Sequence, residues 1–315
     1  MIDVLYILFS LIPVLLSTLG TAIGQGMIGK QALQSMHRQP TASSYISKLC
    51  IIGMAITETA AVMGIVISLL LLNETTHFDH NTYTTMATAG IAIAMGISGL
   101  CAGIASALPA AATCDSVARQ PFHQTKMLNL MLVTQTLIMT PNMFGVLVSL
   151  LIKSKLTTVQ TLNEALQLLA SGISIGLGCI GPTIGLSLFA FSACSAVGIN
   201  KKAFSKIMTF TFICEAIIET PAIFALLISL MILTAQVDPT SMVQGWKFIA
   251  AALCIGLSTI SPGINSGRTG ATACTQIALH LEQYASLSRI TMLALAMIDS
   301  FAIYGLLISI VMLLF

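Results

Sequence analysis

Long apolar stretches alternate with short polar interruptions from one end of this chain to the other, and that alternation predicts its architecture. A helix needs roughly 20 predominantly apolar residues to cross the hydrocarbon core of a bilayer. Eight stretches reach that length, arranged in pairs. The first members run over about 3–36, 83–118, 160–197 and 242–280, and the second over about 44–72, 123–153, 201–234 and 284–315. Within pairs the turns are His37-Arg38-Gln39-Pro40, Ala118-Arg119-Gln120-Pro121, Gly198-Ile199-Asn200-Lys201 and the region around His280-Leu281-Glu282-Gln283. Between pairs, polar links run from Asn73 to Thr82, Ser154 to Gln160 and Gln236 to Ser241. The expected fold is an all-α membrane protein of eight transmembrane helices, with both termini on one side. Its four tandem hairpins occupy 1–75, 76–156, 157–237 and 238–315.

Polar residues inside the apolar stretches show that one unit is written four times, as expected of internal repeats. Glu58, Glu219 and Asp299 each interrupt a second helix, with a small residue six positions later and a serine ten later. Met139-Thr140-Pro141 matches Glu219-Thr220-Pro221, and Gly145 and Ser149 keep the register, so the units step by 81, 80 and 80 residues. The second unit carries methionine where the others carry an acid. A charged side chain at this depth costs about 2.5–3.5 kcal/mol on insertion scales, and three in register form one device repeated.

Composition agrees with the pattern: 315 residues, 56% hydrophobic and 8% charged, against about 25% charged in soluble domains. The net charge of +2 and the absence of a basic tail give no sign of nucleic-acid binding. Met1-Ile2-Asp3-Val4-Leu5 lacks a positive n-region, so the N-terminus reads as a retained first helix. The eight cysteines are scattered in apolar segments without CxxC spacing and read as small packing residues. Lys30, Arg38, Lys48, Arg119, Lys126, Lys201, Lys202, Lys206 and Arg289 cluster at the intra-hairpin turns. Lys153, Lys155 and Lys247 lie at the other end, with Glu74, Asp79, Glu164 and Asp238. The positive-inside rule then turns the hairpin turns toward the cytoplasm or its organellar equivalent.

Four columns of mostly small residues mark the first helices: Gly20/Cys101/Gly181/Ser261, Gly24/Ala105/Gly185/Asn265, Gly26/Ala107/Ser187/Gly267 and Gly29/Ala110/Ala190/Gly270. Such residues let membrane helices approach closely. Their restriction to one helix per hairpin suggests a crowded inner layer with bulkier second helices outside.

Glycine-patterned first helices, an Arg-Gln-Pro turn and a carboxylate twenty residues after its arginine resemble the rotor-ring c subunit (proteolipid) of F-type ATP synthases. The carrying residues are Gly20, Gly24, Gly26, Gly29 and Lys30, then Arg38-Gln39-Pro40, then Glu58; Arg119-Gln120-Pro121 repeats the turn, with residue 139 again twenty later. Fusion of four hairpins and one missing acid are reminiscent of vacuolar-type proteolipids, and hairpins three and four lack the Arg-Gln-Pro turn. The resemblance implies a c-ring of several copies, with Gly-rich inner and carboxylate-bearing outer helices. It implies a stator a subunit supplying a cation, central-stalk subunits meeting Arg38, Gln39, Pro40, Arg119, Gln120 and Pro121, and surrounding lipid. It implies a non-catalytic component without cofactor that carries H+ or Na+, located in a bacterial inner membrane or an organellar energy-transducing membrane. No phosphate-binding G-x-x-x-x-G-K-[ST] is present.

A carboxyl suits ion carriage because desolvation favours its neutral form and a nearby cation favours release. Glu58, Glu219 and Asp299 are the expected ion-binding residues. The resemblance makes Gln25, 33 residues before Glu58, and Thr59 beside it candidate sodium ligands, since sodium-binding members of the family carry a glutamine and a hydroxyl at those places. The next position, Ala60, lacks a second hydroxyl, and the corresponding inner residues Ser106, Leu186 and Ser266 leave at best one full set, which favours protons overall and keeps sodium open at Glu58. Thr220 and Ser300 follow the other acids as candidate support. Glu215, one turn before Glu219, is a further candidate, and Gln135 aligns with it as a helix-pairing residue. Pro141 and Pro221 leave carbonyls free four residues back, as a kink or as ligands. Arg268 either snorkels to the turn-side interface or pairs with Asp299. Competing classes are an ATP-driven vacuolar-type pump ring, a secondary transporter, whose inverted repeats are not seen here, and a structural proteolipid.

Overall fold

The structure is a computed structural model describing residues 2–73, 81–238, 241 and 243–315. Glu74 and Asp79 of the first polar link, and residues 239–240 of the third, lie outside the described residues, as does Met1. Among the described residues all regular structure is helical, and eight spans are long and apolar enough to cross a membrane. The first hairpin is α1 (Ile2–Arg38) and α2 (Ser43–Leu72), and the second helices of the next two are α5 (Gln124–Lys155) and α8 (Phe204–Thr234). Three first helices are each divided in two, as α3 (Thr82–Ala105) with α4 (Ala107–Arg119), α6 (Leu162–Gly178) with α7 (Ile180–Ile199), and α9 (Gln244–Ser258) with α10 (Ile260–Leu279). The last second helix is α11 (Tyr284–Leu314).

The divisions correct the expectation of unbroken first helices. Each falls three residues before a proline: Ser106 before Pro109, Cys179 before Pro182 and Thr259 before Pro262. A proline has no N–H for the carbonyl four residues back and clashes with it, so the ladder breaks there. The Gly178 carbonyl left free in this way accepts from Thr259 Oγ1 of the next first helix at 3.4 Å. Pro13, Pro141 and Pro221, by contrast, sit inside continuous helices.

Polar punctuation sets the ends. Asn81 and Thr161 cap α3 and α6 through reciprocal capping boxes with Thr84 and Glu164. At the other end, each hairpin turns through one 3-10 turn: Pro40–Ala42, Pro121–His123, Lys201–Ala203 and Leu281–Gln283.

The hairpins form two layers. First helices pack side by side, α1 on α3 and α4, these on α6 and α7, and these on α9 and α10. Each second helix of the first three hairpins lies over its own first helix and the next one, α2 for instance touching α1, α3, α4 and α5. The small-residue columns explain the closeness of the first layer. Gly20 faces the Leu100 backbone, Gly24 faces Gly103, Gly172 faces Gly90 and Gly185 faces Gly263, leaving no room for a side chain. A methyl group on Gly90 would sit 2.7 Å from the Leu168 carbonyl oxygen. Gly172→Val is therefore expected to destabilise the chain by at least about 1–3 kcal/mol, the usual overpacking range, read as a lower unfolding temperature in detergent.

The small residue six positions after each acid belongs to a second packing device, within the hairpin. Gly64 faces Ser17, Gly145 faces Ser98 and Gly305 faces Ser258. In hairpin three the pair is inverted, with Gly178 on the first helix facing Ala225 on the second. The serine ten positions on has the same structural role: Ser309 Oγ donates to Ala251 O at 3.0 Å, Ser229 Oγ to Ser171 O at 3.0 Å, and Val14 N donates to Ser68 Oγ at 3.1 Å.

Candidate functional site

Four equivalent positions on the second helices define the site, held by Glu58, Met139, Glu219 and Asp299. All four lie on the flank that faces the preceding hairpin. Met139 packs with Ala60 of α2 and Ala102 of α3. Met139, Glu219 and Asp299 are 5%, 9% and 7% exposed, whereas Glu58, with no hairpin before it in the chain, is exposed. Asp299 Oδ1 accepts from Ser266 Oγ of α10 at 3.3 Å, which links the acid to its own first helix.

The sequence-predicted support around Glu58 is not assembled around that carboxyl. Gln25 Nε2 donates to Met54 O at 3.3 Å, and Thr59 Oγ1 donates to Ile56 O at 2.7 Å. Thr220 and Ser300 likewise donate to carbonyls of their own helices, Ala216 O at 3.1 Å and Met297 O at 2.7 Å. A hydroxyl in a helix meets the carbonyl three or four residues back more readily than a neighbour, and that contact wins at all three hydroxyl positions. Thr57, one residue before the acid, was not singled out from sequence but is fully buried. It accepts from Ser106 Oγ at 3.1 Å and donates to Gly53 O at 2.9 Å, tying α2 to the break between α3 and α4.

Gln135 is fully buried one turn before Met139 and pairs helices: Nε2 donates to Ser106 O at 2.9 Å and to Gly53 O at 3.2 Å. Glu215, its equivalent, is also fully buried, and neither carboxyl oxygen has a hydrogen-bond partner among the described residues. Arg268 does not pair with Asp299; it is exposed, at the place held by Leu188 and Leu108 in the preceding hairpins, and makes no ion pair among the described residues. Arg268→Leu is accordingly expected to leave carbodiimide modification of Asp299 unchanged, a peptide-mapping measurement in which a clear increase would restore the pairing.

The turn end carries a second polar constellation. Asp115, on α4, accepts from Arg38 at 2.8 Å and from Arg119 at 2.5 Å, joining the first two hairpins. Sequence reading missed Asp115, because a lone acid at a helix end carries no pattern. Gln120 Nε2 donates to Gly198 O at 2.9 Å, and Asn200 Nδ2, eighty residues on, donates to Ala278 O at 2.9 Å. In hairpins two and three the residue in the glutamine place thus clamps the following hairpin, even where the Arg-Gln-Pro motif is absent, whereas Gln39 Nε2 donates to Thr41 Oγ1 of its own turn at 3.0 Å. Lys126 over Phe204 (5.5 Å to the centroid) and Lys206 over Tyr284 (5.2 Å) repeat a cation–π contact at the same eighty-residue step. Phe122 is 98% exposed at this end.

Fold and site together define a multi-pass integral membrane protein of tandem helical hairpins with a carboxyl repeated in mid-span. The chain belongs to the ATP synthase C-subunit family, which it matches four times, over residues 8–71, 89–152, 169–232 and 249–312. It is 29% identical over 225 residues to the A-type ATP synthase subunit K of Methanocaldococcus jannaschii, covering 71% of this chain and 94% of that protein. A single hairpin's length is 41% identical over 70 residues to the ATP synthase c subunit of Dehalococcoides mccartyi, 22% of this chain and 92% of that protein. The ATP synthase c subunit of Chloroflexus aurantiacus is 38% identical over 69 residues, again 22% of this chain and 91% of that protein.

Proposed function

We propose that this chain is the ion-carrying rotor subunit of a membrane ATP synthase, in which several copies close a ring. The carrying observation is the recurrence of a carboxyl at one depth and on one flank of three of the four second helices. A carboxyl so placed is neutral when loaded, which permits passage through lipid, and it releases its bound ion when a cation on a stator subunit favours the charged carboxylate. The chain itself catalyses nothing; torque passes to a central stalk through the turn end, where Arg38, Arg119 and Phe122 face outward.

The two edges of the chain support ring assembly. Positions on second helices that face the next hairpin are buried in hairpins one to three and bare in hairpin four: Leu49, Leu130 and Phe210 are 3%, 0% and 0% exposed, but Ile290 is 66% exposed. Ile308 is 55% exposed where Ile67, Val148 and Ile228 are buried. The flank of hairpin one that bears Glu58 is the complementary bare edge. A second copy, set by the same step that relates consecutive hairpins, covers both.

The A-type relative and the single-hairpin relatives share the synthase name, which supports the synthase direction. The Arg-Gln-Pro turns favour the F-type and fusion favours the A- or vacuolar-type. The transported ion is the proton, because a desolvated sodium needs several oxygens in place of its water, and among the described residues each acid has at most one side-chain hydroxyl directed at it. The turns face the cytoplasm, as their basic residues suggest. Labelling with a lipid-soluble carbodiimide and peptide mapping, with and without sodium at neutral pH, tests the reading. Modification of Glu58, Glu219 and Asp299 that sodium does not suppress is expected. Sodium protection would replace the proton, and absence of modification at all three would end the rotor reading.

A further inference from the structure

Glu215 is a buried acid that the carrier cycle leaves unused, and its surroundings are unlike those of the other three. It is fully buried, both oxygens are unpartnered among the described residues, and it sits one helical turn from Glu219. Hairpins one and four carry Met54 and Leu295 at this position, so the packing there asks for no polar group. Hairpin two carries Gln135, which brings its own N–H donors to two neighbouring carbonyls. A carboxylate has none to bring, since an ionised carboxyl only accepts.

The titratable groups within electrostatic reach of Glu215 supply no counter-charge, and the cations on helices packed against α8, Lys126 on α5, Arg268 on α10 and Arg289 on α11, make no ion pair with it among the described residues. Cys214 adjoins it on α8, and Cys194 on α7 and Cys274 on α10 lie within electrostatic reach, as does Glu219. From Met127 to Ile152, α5 contains no titratable residue. A bare carboxylate in such a place is costly enough that the group takes up a cation instead. With both oxygens shut off from solvent, the next carboxyl along the helix is Glu219, one turn away and 9% exposed.

We propose that Glu215 is a second proton-binding site of hairpin three, holding a resident proton that is loaded and exchanged only through Glu219. In the loading step the O–H bond of the Glu219 carboxyl breaks and one forms on Glu215, leaving the negative charge on Glu219, which takes a new proton from its half-channel. Glu215 then keeps its proton while Glu219 cycles. Hairpin three thus holds two mid-span acids and hairpin two none, yet only Glu219 of that pair carries an ion to the stator.

The proposal rests on Glu219 as an ion carrier, but its test reads Glu215 directly. Infrared spectra of the assembled protein, compared with Glu215→Gln, should contain a carboxylic-acid C=O band that persists at alkaline pH and is lost in the variant. Glutamine fits the site, as Gln135 shows in hairpin two, and Glu215→Leu, matching Leu295, serves as a second control for folding. On transfer to heavy water the band should shift promptly in the natural protein. In Glu219→Gln it should shift about 100-fold more slowly, the lower range for loss of a positioned proton-transfer group. Absence of an alkaline band assignable to Glu215 would overturn the resident proton. A sodium-dependent carboxylate band at Glu215 would overturn it in favour of a metal cation. An unchanged exchange rate in Glu219→Gln would overturn the route. Failure of the carrier reading alone would show as unlabelled Glu58, Glu219 and Asp299 with the Glu215 band intact.

Discussion

Neutralising Glu219 or Glu58 is expected to damage ion transport by the assembled rotor much more than neutralising Asp299. The order of positions around a ring of such chains is Glu58, Met139, Glu219, Asp299, then Glu58 of the next copy. On the proposed reading Met139 makes one step in four silent, since a stator cation passing it would have no carboxylate to meet. Glu219→Gln or Glu58→Gln places a second silent step directly beside that one. Asp299→Asn instead separates its silent step from Met139 by a working carboxyl on either side. Leaving a buried charge without its partner costs about 3–5 kcal/mol, and doubling the arc over which this holds raises the barrier to rotation. Since about 1.36 kcal/mol is a factor of ten in rate, Glu58→Gln and Glu219→Gln should be slower than Asp299→Asn by about tenfold or more. ATP-driven ion uptake by the purified complex in sealed vesicles measures this, and equal losses in all three variants would refute the adjacency argument. Restoring an acid with Met139→Glu in a Glu219→Gln background should recover part of the loss.

Much of the architecture was legible in the sequence because membrane helices obey few constraints and this chain repeats them. Apolar length placed the spans, and the registered acids fixed the repeat. What could not be read was side-chain direction. Gln25 and Thr59 stand at the spacing of ligands for Glu58, yet each spends its donor on a nearby carbonyl, a choice made by rotamer and local packing. The proline breaks were missed for a related reason. Pro109, Pro182 and Pro262 divide their helices, while Pro13, Pro141 and Pro221 do not, and a proline's sequence neighbourhood does not say whether its neighbours can satisfy the freed carbonyl. The small residue and serine downstream of each acid were seen as part of one device with it. They share its register because they share its helix, but their partners are Ser17, Ser98 and Ser258 and the first-helix backbone, so they hold the hairpin together.

The inverted pair in hairpin three sharpens that distinction. Gly178 facing Ala225 exchanges the places of small and larger residue across one contact, preserving total volume, which is the substitution cores tolerate best. The acid position shows no such exchange: the first-helix residues in register with it, Gln25, Ser106, Leu186 and Ser266, include no carboxyl. Packing residues thus vary in pairs, whereas the acids are kept or lost singly, as at Met139.

Extended to the proposed ring, the same geometry says how one copy should meet the next, and a disulfide can read it. Inside the chain, Gly24 faces the following first helix, and a methyl group on it would lie 3.2 Å from Ala107 Cβ. Asn265 stands in the place of Gly24 at the last first helix, and Gly26 stands in the place of Ala107 at the first, with open space where its side chain would be. Asn265 of one copy should therefore meet Gly26 of its neighbour. Disulfides form at Cβ separations of about 3.5–4.5 Å, close to the interior value. Oxidising a Gly26→Cys/Asn265→Cys double variant in membranes should produce a ladder of covalent multimers on a denaturing gel, while either single variant stays at the size of one chain. In the same assembly Glu58, exposed in the isolated chain, should be shielded by Met297 and Phe301 of the preceding copy, which are 72% and 61% exposed on the bare face of α11. A water-soluble carbodiimide should then modify Glu58 in detergent-dissociated chains and spare it in cross-linked ones. A double variant that remains monomeric, or a Glu58 equally reactive in both states, would mean that the Glu58 site is not closed by a second copy.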